Sequence, residues 1–314
     1  MLLSEAIEAL AVATLANGLS RATADGYRSK LAQLRAFLGD VAIDQVTVND
    51  LRRYVADLRS RPTRYSQTTA RPEVIGGLSM ATVASHVRAV KRLFHWLHEE
   101  GEIHSNPAQR IKVPKLPRGE PKAYDLRDFS KLLAATAGDD LASKRNRAIL
   151  LFLADTGARV GGLAGLRVGD LDLERSQAKV TEKGSKTRVV FFSEPTAHAL
   201  AAWLAVRPTG TPYVWAGVER SSKPFLTAEG IRQVLKRLGK KAGVEGPVNP
   251  HSFRHGFARE YLLSGGDLAT LADLMGHSDV QVTWQSYAIF RTAELAAKHA
   301  KHSPVANMGR KGEL

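Results

Sequence analysis

The sequence predicts a mostly helical α+β protein: a helical domain followed by a larger domain of helices with one small β-sheet. Three observations carry this. Capped stretches of apolar residues at helical spacing fill the first hundred residues, a basic proline-rich segment interrupts them near residue 110, and one pair of strand-like runs follows. A length of 314 residues fits about two domains, and 44% hydrophobic residues suffice for a core in each. We expect domains at 1–112 and 124–314, with a linker at 113–123.

In the first domain, Ser20 is placed to cap a helix ending near Gly39, with Ala24, Tyr27, Leu31, Leu34 and Leu38 on one stripe. Thr47 and Asp50 form a capping box, with Asp in place of the usual Glu or Gln, for a helix reaching about Arg59. Residues 60–77 are polar, with two prolines and a Gly-Gly step, and predict a loop. Ser79 caps the next helix, whose stripe is Val83, Val87, Val90, Phe94 and Leu97. Arg88, Lys91 and Arg92 lie off that stripe, where they could meet phosphates or base edges, or simply form a solvated face.

The linker falls in the proline-rich stretch NPAQRIKVPKLPRGEPK that begins at residue 106; with Lys112 and Lys115 this stretch would make a positive extended strap along a DNA backbone. Beyond it, Asp125 caps a helix to about Thr136, and an apolar helix over 148–153 leads to TGARVGG. QAKVTE and TRVVFF are two strands of a hairpin joined by KGSK. Helices are expected at 197–205, 227–241, 251–263, 268–275 and 280–287, with a last helical stretch before Pro304.

Charge narrows the function. The net charge is +14, of which +6 falls in residues 1–118 and +8 in the rest, so both halves are basic and a polyanion is the expected partner. Without cysteine there is no disulfide, thiol nucleophile or cysteine-ligated metal. No apolar run approaches a membrane span, and the acidic amino terminus does not read as a secretory signal. Motifs for an esterase, a P-loop ATPase or a dinucleotide enzyme are missing. His251 and His255 have zinc-compatible spacing, but Ser252 stands where a metalloprotease carries its glutamate and Arg254 would repel the ion, so no metal is expected. Asp170 and Asp172 read as turn residues, with no third carboxylate to complete a magnesium site.

Six residues of the second domain remain as phosphate-handling groups: Arg159, Lys183, His251, Arg254, His277 and Tyr287. Cutting a phosphodiester without a metal gathers negative charge on nonbridging oxygens, which guanidinium forks match. The 5′ oxygen needs a proton, which a lysine can give. A tyrosine can store the phosphate covalently, helped by a base because its phenol titrates near ~10. Each residue alone also has a structural reading. Arg159 could form a salt bridge, Lys183 and Lys186 are ordinary hairpin residues, His277 could end a helix and Tyr287 could be core.

Together they resemble the tyrosine recombinases of the phage-integrase and Xer type. TGARVGGLAGLRVGDLDLE resembles the first arginine box, with Arg159; KGSKTR resembles the family's β-hairpin, with Lys183. HSFRHGFA resembles the H-x-x-R box, with His251 and Arg254, and LADLMGHSDVQVTWQSYA the final box, with His277 and the nucleophile Tyr287. GLSMATVASHVRAVKRLFHWLHEEGEIHSNPAQRIKVPK is similar to the helical, SAM-like core-binding domain of the family. Two departures stand out. Gly162 occupies the position, three after the arginine, where the family usually has an acid that orients the catalytic groups, and the His277–Tyr287 gap of ten is one longer than the Xer-like form.

The resemblance implies a site-specific recombinase or integrase that needs no cofactor. It would bind partly palindromic core sites in double-stranded DNA, act as a homo-tetramer in synapsis, form a 3′-phosphotyrosyl intermediate and pass through a Holliday junction. It also implies DNA contacts from Arg88, Lys91, Arg92, Lys112, Lys115, Lys186 and Arg188, a tail that docks on a neighbouring subunit, and a cytoplasmic, nucleoid-associated location. An accessory directionality factor is compatible with it, and an additional arm-site module is not expected. The alternatives are a DNA-binding protein without catalysis, a type IB topoisomerase-like relaxing enzyme, or a metal nuclease.

Overall fold

The computed structural model describes residues 1–64, 74–116, 122–182, 184, 186–218, 224–276, 299–303 and 305. It has a mostly helical α+β fold in two compact units, Met1–Arg118 and Gly119–Leu314.

The first unit contains helices α1 (Leu3–Ala16), α2 (Arg21–Leu38), α3 (Val48–Ser60) and α4 (Met80–Glu99). The side chains of Ser20, Thr47 and Ser79 each accept the N–H three residues on, so the cap signals in the sequence are the real helix starts. Thr47 and Asp50 form the reciprocal box, Asp50 accepting the Thr47 N–H at 2.9 Å. α1 begins instead with Glu5 reaching back to the Leu2 N–H at 2.7 Å. The apolar stripes meet in a core that includes Leu10, Leu31, Leu34, Tyr54, Val87 and Phe94. Within residues 60–77, expected as a loop, two-residue strands β1 (Thr63–Arg64) and β2 (Val74–Ile75) pair antiparallel. Runs this short are below what period-2 alternation can reveal.

The second unit runs α5 (Leu126–Ala134), α6 (Leu141–Thr156), α7 (Val160–Ala164), β3 (Leu171–Asp172), β4 (Gln177–Thr181), β5 (Thr187–Phe191), α8 (Glu194–Leu204), α9 (Ala228–Lys241), α10 (Pro250–Leu263) and α11 (Leu268–Met275). The strands form an antiparallel sheet in the order β3-β4-β5, with Ala178 opposite Val190 and Thr181 opposite Thr187. Along β4, Ala178 and Val180 are buried while Lys179 is exposed, the alternation of a half-covered sheet. Asp172, expected in a turn, pairs through β3 with Gln177, and its carboxylate accepts the Arg175 N–H at 2.9 Å to turn the chain into β4. The core packs α6 against the sheet, α8 and α10 around Phe152, Trp203, Trp215 and Phe253. Both buried indoles donate to backbone, Trp203 to the Val214 carbonyl at 2.8 Å and Trp215 to the Leu163 carbonyl at 2.7 Å. The helix expected at 280–287 and most of the last helical stretch lie outside the described residues. No helix among the described residues is long and apolar enough to cross a membrane.

Candidate active site

The site is built on the turn between α6 and α7. α6 ends at Gly157, whose φ of 56° is the left-handed cap that glycine adopts most easily. A side chain there would also strike the Phe257 ring, 2.6 Å from an ideal Cβ. The chain then buries Ala158 and turns Arg159 outward as the residue preceding α7, leaving its side chain 37% exposed.

Arg159 is held by one carboxylate. Its backbone N–H donates to Glu182 Oε1 at 3.1 Å, and its Nη1 donates to Glu182 Oε2. Glu182 follows β4, and its own N–H bonds the Lys186 carbonyl at 2.9 Å, closing the hairpin turn. Arg188 on β5 donates Nη2 to Glu182 Oε1 at 3.2 Å and Nη1 to the Leu274 carbonyl. Burial by itself would raise the Glu182 carboxyl; the Arg159 N–H and the Arg188 and Arg159 guanidiniums outweigh it, so the group lies below its ordinary value and stays ionised.

Arg254, on α10, is buried. Its Nη1 donates to the Gly157 carbonyl at 2.7 Å and its Nη2 to the Met275 carbonyl at 2.6 Å. Two arginines far apart in sequence thereby meet at one turn, Arg254 bonding its first residue and Arg159 standing two residues on. The end of α11 is gripped by both Arg188 and Arg254, cations at the negative pole of a helix. α11 stops at Gly276 in left-handed backbone, φ 63°, immediately before His277. His251 is exposed in the first turn of α10, with its ring centroid 6.4 Å from that of His255. Burial, then the charges of His251 and Arg254, pushes the His255 imidazole down, so His255 is neutral at neutral pH. Among the described residues no cluster of three metal-ligating side chains surrounds this pair.

The structure thus brings Arg159 and Arg254 together, with His251 on the same helix as Arg254; Lys183, His277 and Tyr287 lie outside the described residues. Of the basic residues expected to face DNA, Arg88, Lys112, Lys115 and Lys186 are exposed, and Arg92 is half-buried, 3.9 Å from Glu99. Two differ from expectation. Lys91 directs its ammonium to the carbonyls of Ala108, Gln109 and Ile111 at 2.9–3.0 Å, which uses its three donors to clamp the segment after α4. Arg188 is committed to Glu182 and Leu274 with only 15% of its side chain exposed, so it holds the site together where a phosphate contact was expected. Glu182 was missed by sequence reasoning. The available signal was Gly162, an absent acid that leaves the first arginine in need of another carboxylate.

Comparison with known proteins follows the same division of the chain. A family model described as "Phage integrase family" matches residues 125–293, and one described as "Phage integrase, N-terminal SAM-like domain" matches 12–101. Tyrosine recombinase XerC of Alcanivorax borkumensis is 32% identical over 269 residues, covering 84% of this chain and 82% of its own. Tyrosine recombinase XerD of Listeria monocytogenes is 28% identical, covering 76% of this chain and 87% of its own. Among solved structures, the Tn1549 transposon integrase in complex with a circular intermediate DNA has the same fold, with a TM-score of 0.73 at 20% identity over 96% of this chain and 99% of that one.

Proposed function

The chain belongs to the phage integrase family of site-specific tyrosine recombinases, and from that premise we propose that Arg159, Lys183, His251, Arg254, His277 and Tyr287 cut and rejoin duplex DNA at partly palindromic core sites. The Tyr287 hydroxyl attacks the scissile phosphorus, forming a P–O bond to the phenol oxygen and breaking the bond to the 5′ oxygen. The phenol proton leaves through the histidines, and Lys183 gives a proton to the departing 5′ hydroxyl. Arg159 and Arg254 stabilise the charge that collects on the nonbridging oxygens. The 5′ hydroxyl of a partner strand reverses the step, so the phosphotyrosine conserves the bond energy. Two such exchanges, in a tetramer holding two sites, make and resolve a Holliday junction. The protein acts on double-stranded DNA in the cytoplasm.

The observation that supports this most is the meeting of Arg159 and Arg254 at the Gly157 turn, the first guanidinium held by Glu182 after β4 and the second by the Gly157 and Met275 carbonyls. The test is recombination. Sequencing the DNA that stays on the protein after SDS supplies the site, and a plasmid with two copies should be inverted or excised by wild type. Tyr287→Phe should bind the site and exchange nothing. Site-independent relaxation of supercoils would establish a topoisomerase instead, and binding without exchange by wild type a silent DNA-binding protein.

A further inference from the structure

We propose that Glu182 is the positioning residue of the catalytic arginine Arg159, a carboxylate delivered from the end of β4 into the space that Gly162 leaves open beside α7. The proposal deepens the recombinase reading and rests on it. The two positions border one volume. A Cβ on Gly162 would stand 3.2 Å from Glu182 Cγ, 3.4 Å from Val180 Cβ and 3.5 Å from the Thr181 carbonyl oxygen. A side chain at 162 would press on the Glu182 side chain, which would have to give by a few tenths of an ångström, so the glycine and the glutamate suit one another. An acid at position 162 would approach Arg159 from its own helix; here the carboxylate approaches from the strand.

The geometry gives Glu182 more than an ion pair. Its side chain is 4% exposed, so its position is set by packing. Its two oxygens take the Arg159 N–H, the Arg159 guanidinium and the Arg188 guanidinium. Through Arg188 the same carboxylate reaches the Leu274 carbonyl at the end of α11. One buried group therefore ties the arginine turn to the strand that precedes Lys183 and to the helix that precedes His277. A guanidinium on a long stem must be pointed before it can meet a phosphate in its fork geometry, and a fixed carboxylate supplies the pointing. A purely structural ion pair would stabilise the fold equally well, so the test must separate the two roles.

Glu182→Gln keeps the shape and removes the charge. With the positioning role, the rate of covalent adduct formation at saturating DNA falls about 10²-fold while the half-saturating DNA concentration stays within about twofold. Moving the acid back with Gly162→Glu and Glu182→Gly together recovers about tenfold of that loss. Phenylglyoxal modification of Arg159, followed by peptide mass spectrometry without DNA, speeds up severalfold in Glu182→Gln. An unchanged rate, or a loss that only tracks a lowered melting temperature and is not recovered by the exchange, overturns the proposal. If wild type itself forms no adduct, the recombinase reading fails alone, and the phenylglyoxal rate still decides: acceleration supports the grip on Arg159, and no change refutes it.

Discussion

Replacing Arg254 with lysine tests how the two halves of the site are joined. The guanidinium bridges the Gly157 and Met275 carbonyls at 2.7 and 2.6 Å from two different nitrogens. A lysine carries its three donors on one nitrogen, which cannot occupy both guanidinium positions, so it keeps the aligned bond to only one of these carbonyls. The other buried carbonyl loses a charge-assisted bond, a change of about 1.5–3 kcal/mol, and the desolvation of an acceptor left without this donor brings the total to about 3 kcal/mol. For a unit near 200 residues each kcal/mol moves the melting point by about 2–4 °C, so Arg254→Lys should melt about 6–12 °C lower. Thermal unfolding followed by tryptophan fluorescence reads this, since Trp203 and Trp215 are buried in the same core. The rate of adduct formation should fall by a further factor of about 10²–10³ below the loss explained by unfolding, because the fork that meets the developing charge is gone. A variant that melts with wild type and keeps its cleavage rate would refute the bridging role and the catalytic one together.

Lys91→Met should lower the stability of the first unit by about 2 kcal/mol in urea titration, because three carbonyls lose their common donor. Neutralising the exposed Arg88 should instead leave stability unchanged and reduce the salt slope of DNA binding by about one. Asp50→Ala should cost about 1 kcal/mol at pH 7, the usual worth of a helix cap. The bonds from the Thr47 hydroxyl and N–H, with Arg53, pull the Asp50 carboxyl from 3.8 to about 2. Because the folded value is the lower one, that contribution is complete above the ordinary value and disappears as pH falls through about 2, so the mutant and wild type should converge in acid.

Local signals in the sequence corresponded closely to local structure. Ser20, Thr47, Ser79 and Asp125 mark helix starts because a cap is a contact within three residues, and the spacing alone reports it. The strands around KGSK are long enough for alternation to show, whereas β1, β2 and β3 have two residues each and no pattern to read. The basic residues were the hardest to interpret. Lys91, Arg88 and Arg92 look alike along α4, yet Lys91 is used up by carbonyls some twenty residues away, a pairing that depends on how the chain returns. Arg188 is similar: its partners Glu182 and Leu274 belong to the hairpin turn and to α11, and only folding brings them together. Glu182 reads in sequence as the polar end of a strand. Its grip on Arg159, across 23 positions, becomes visible only when the sheet is placed beside α7.

The proposed function rests on covalent phosphoryl chemistry at Tyr287, and one measurement addresses it whatever the target sequence is. The protein is incubated with fragmented host DNA in EDTA, denatured in SDS, digested with nuclease and protease, and mapped by mass spectrometry. The expected result is a nucleotide-bearing phosphotyrosyl peptide that contains Tyr287, absent from Tyr287→Phe. DNA binding with no adduct, or an adduct on any other tyrosine, would contradict it.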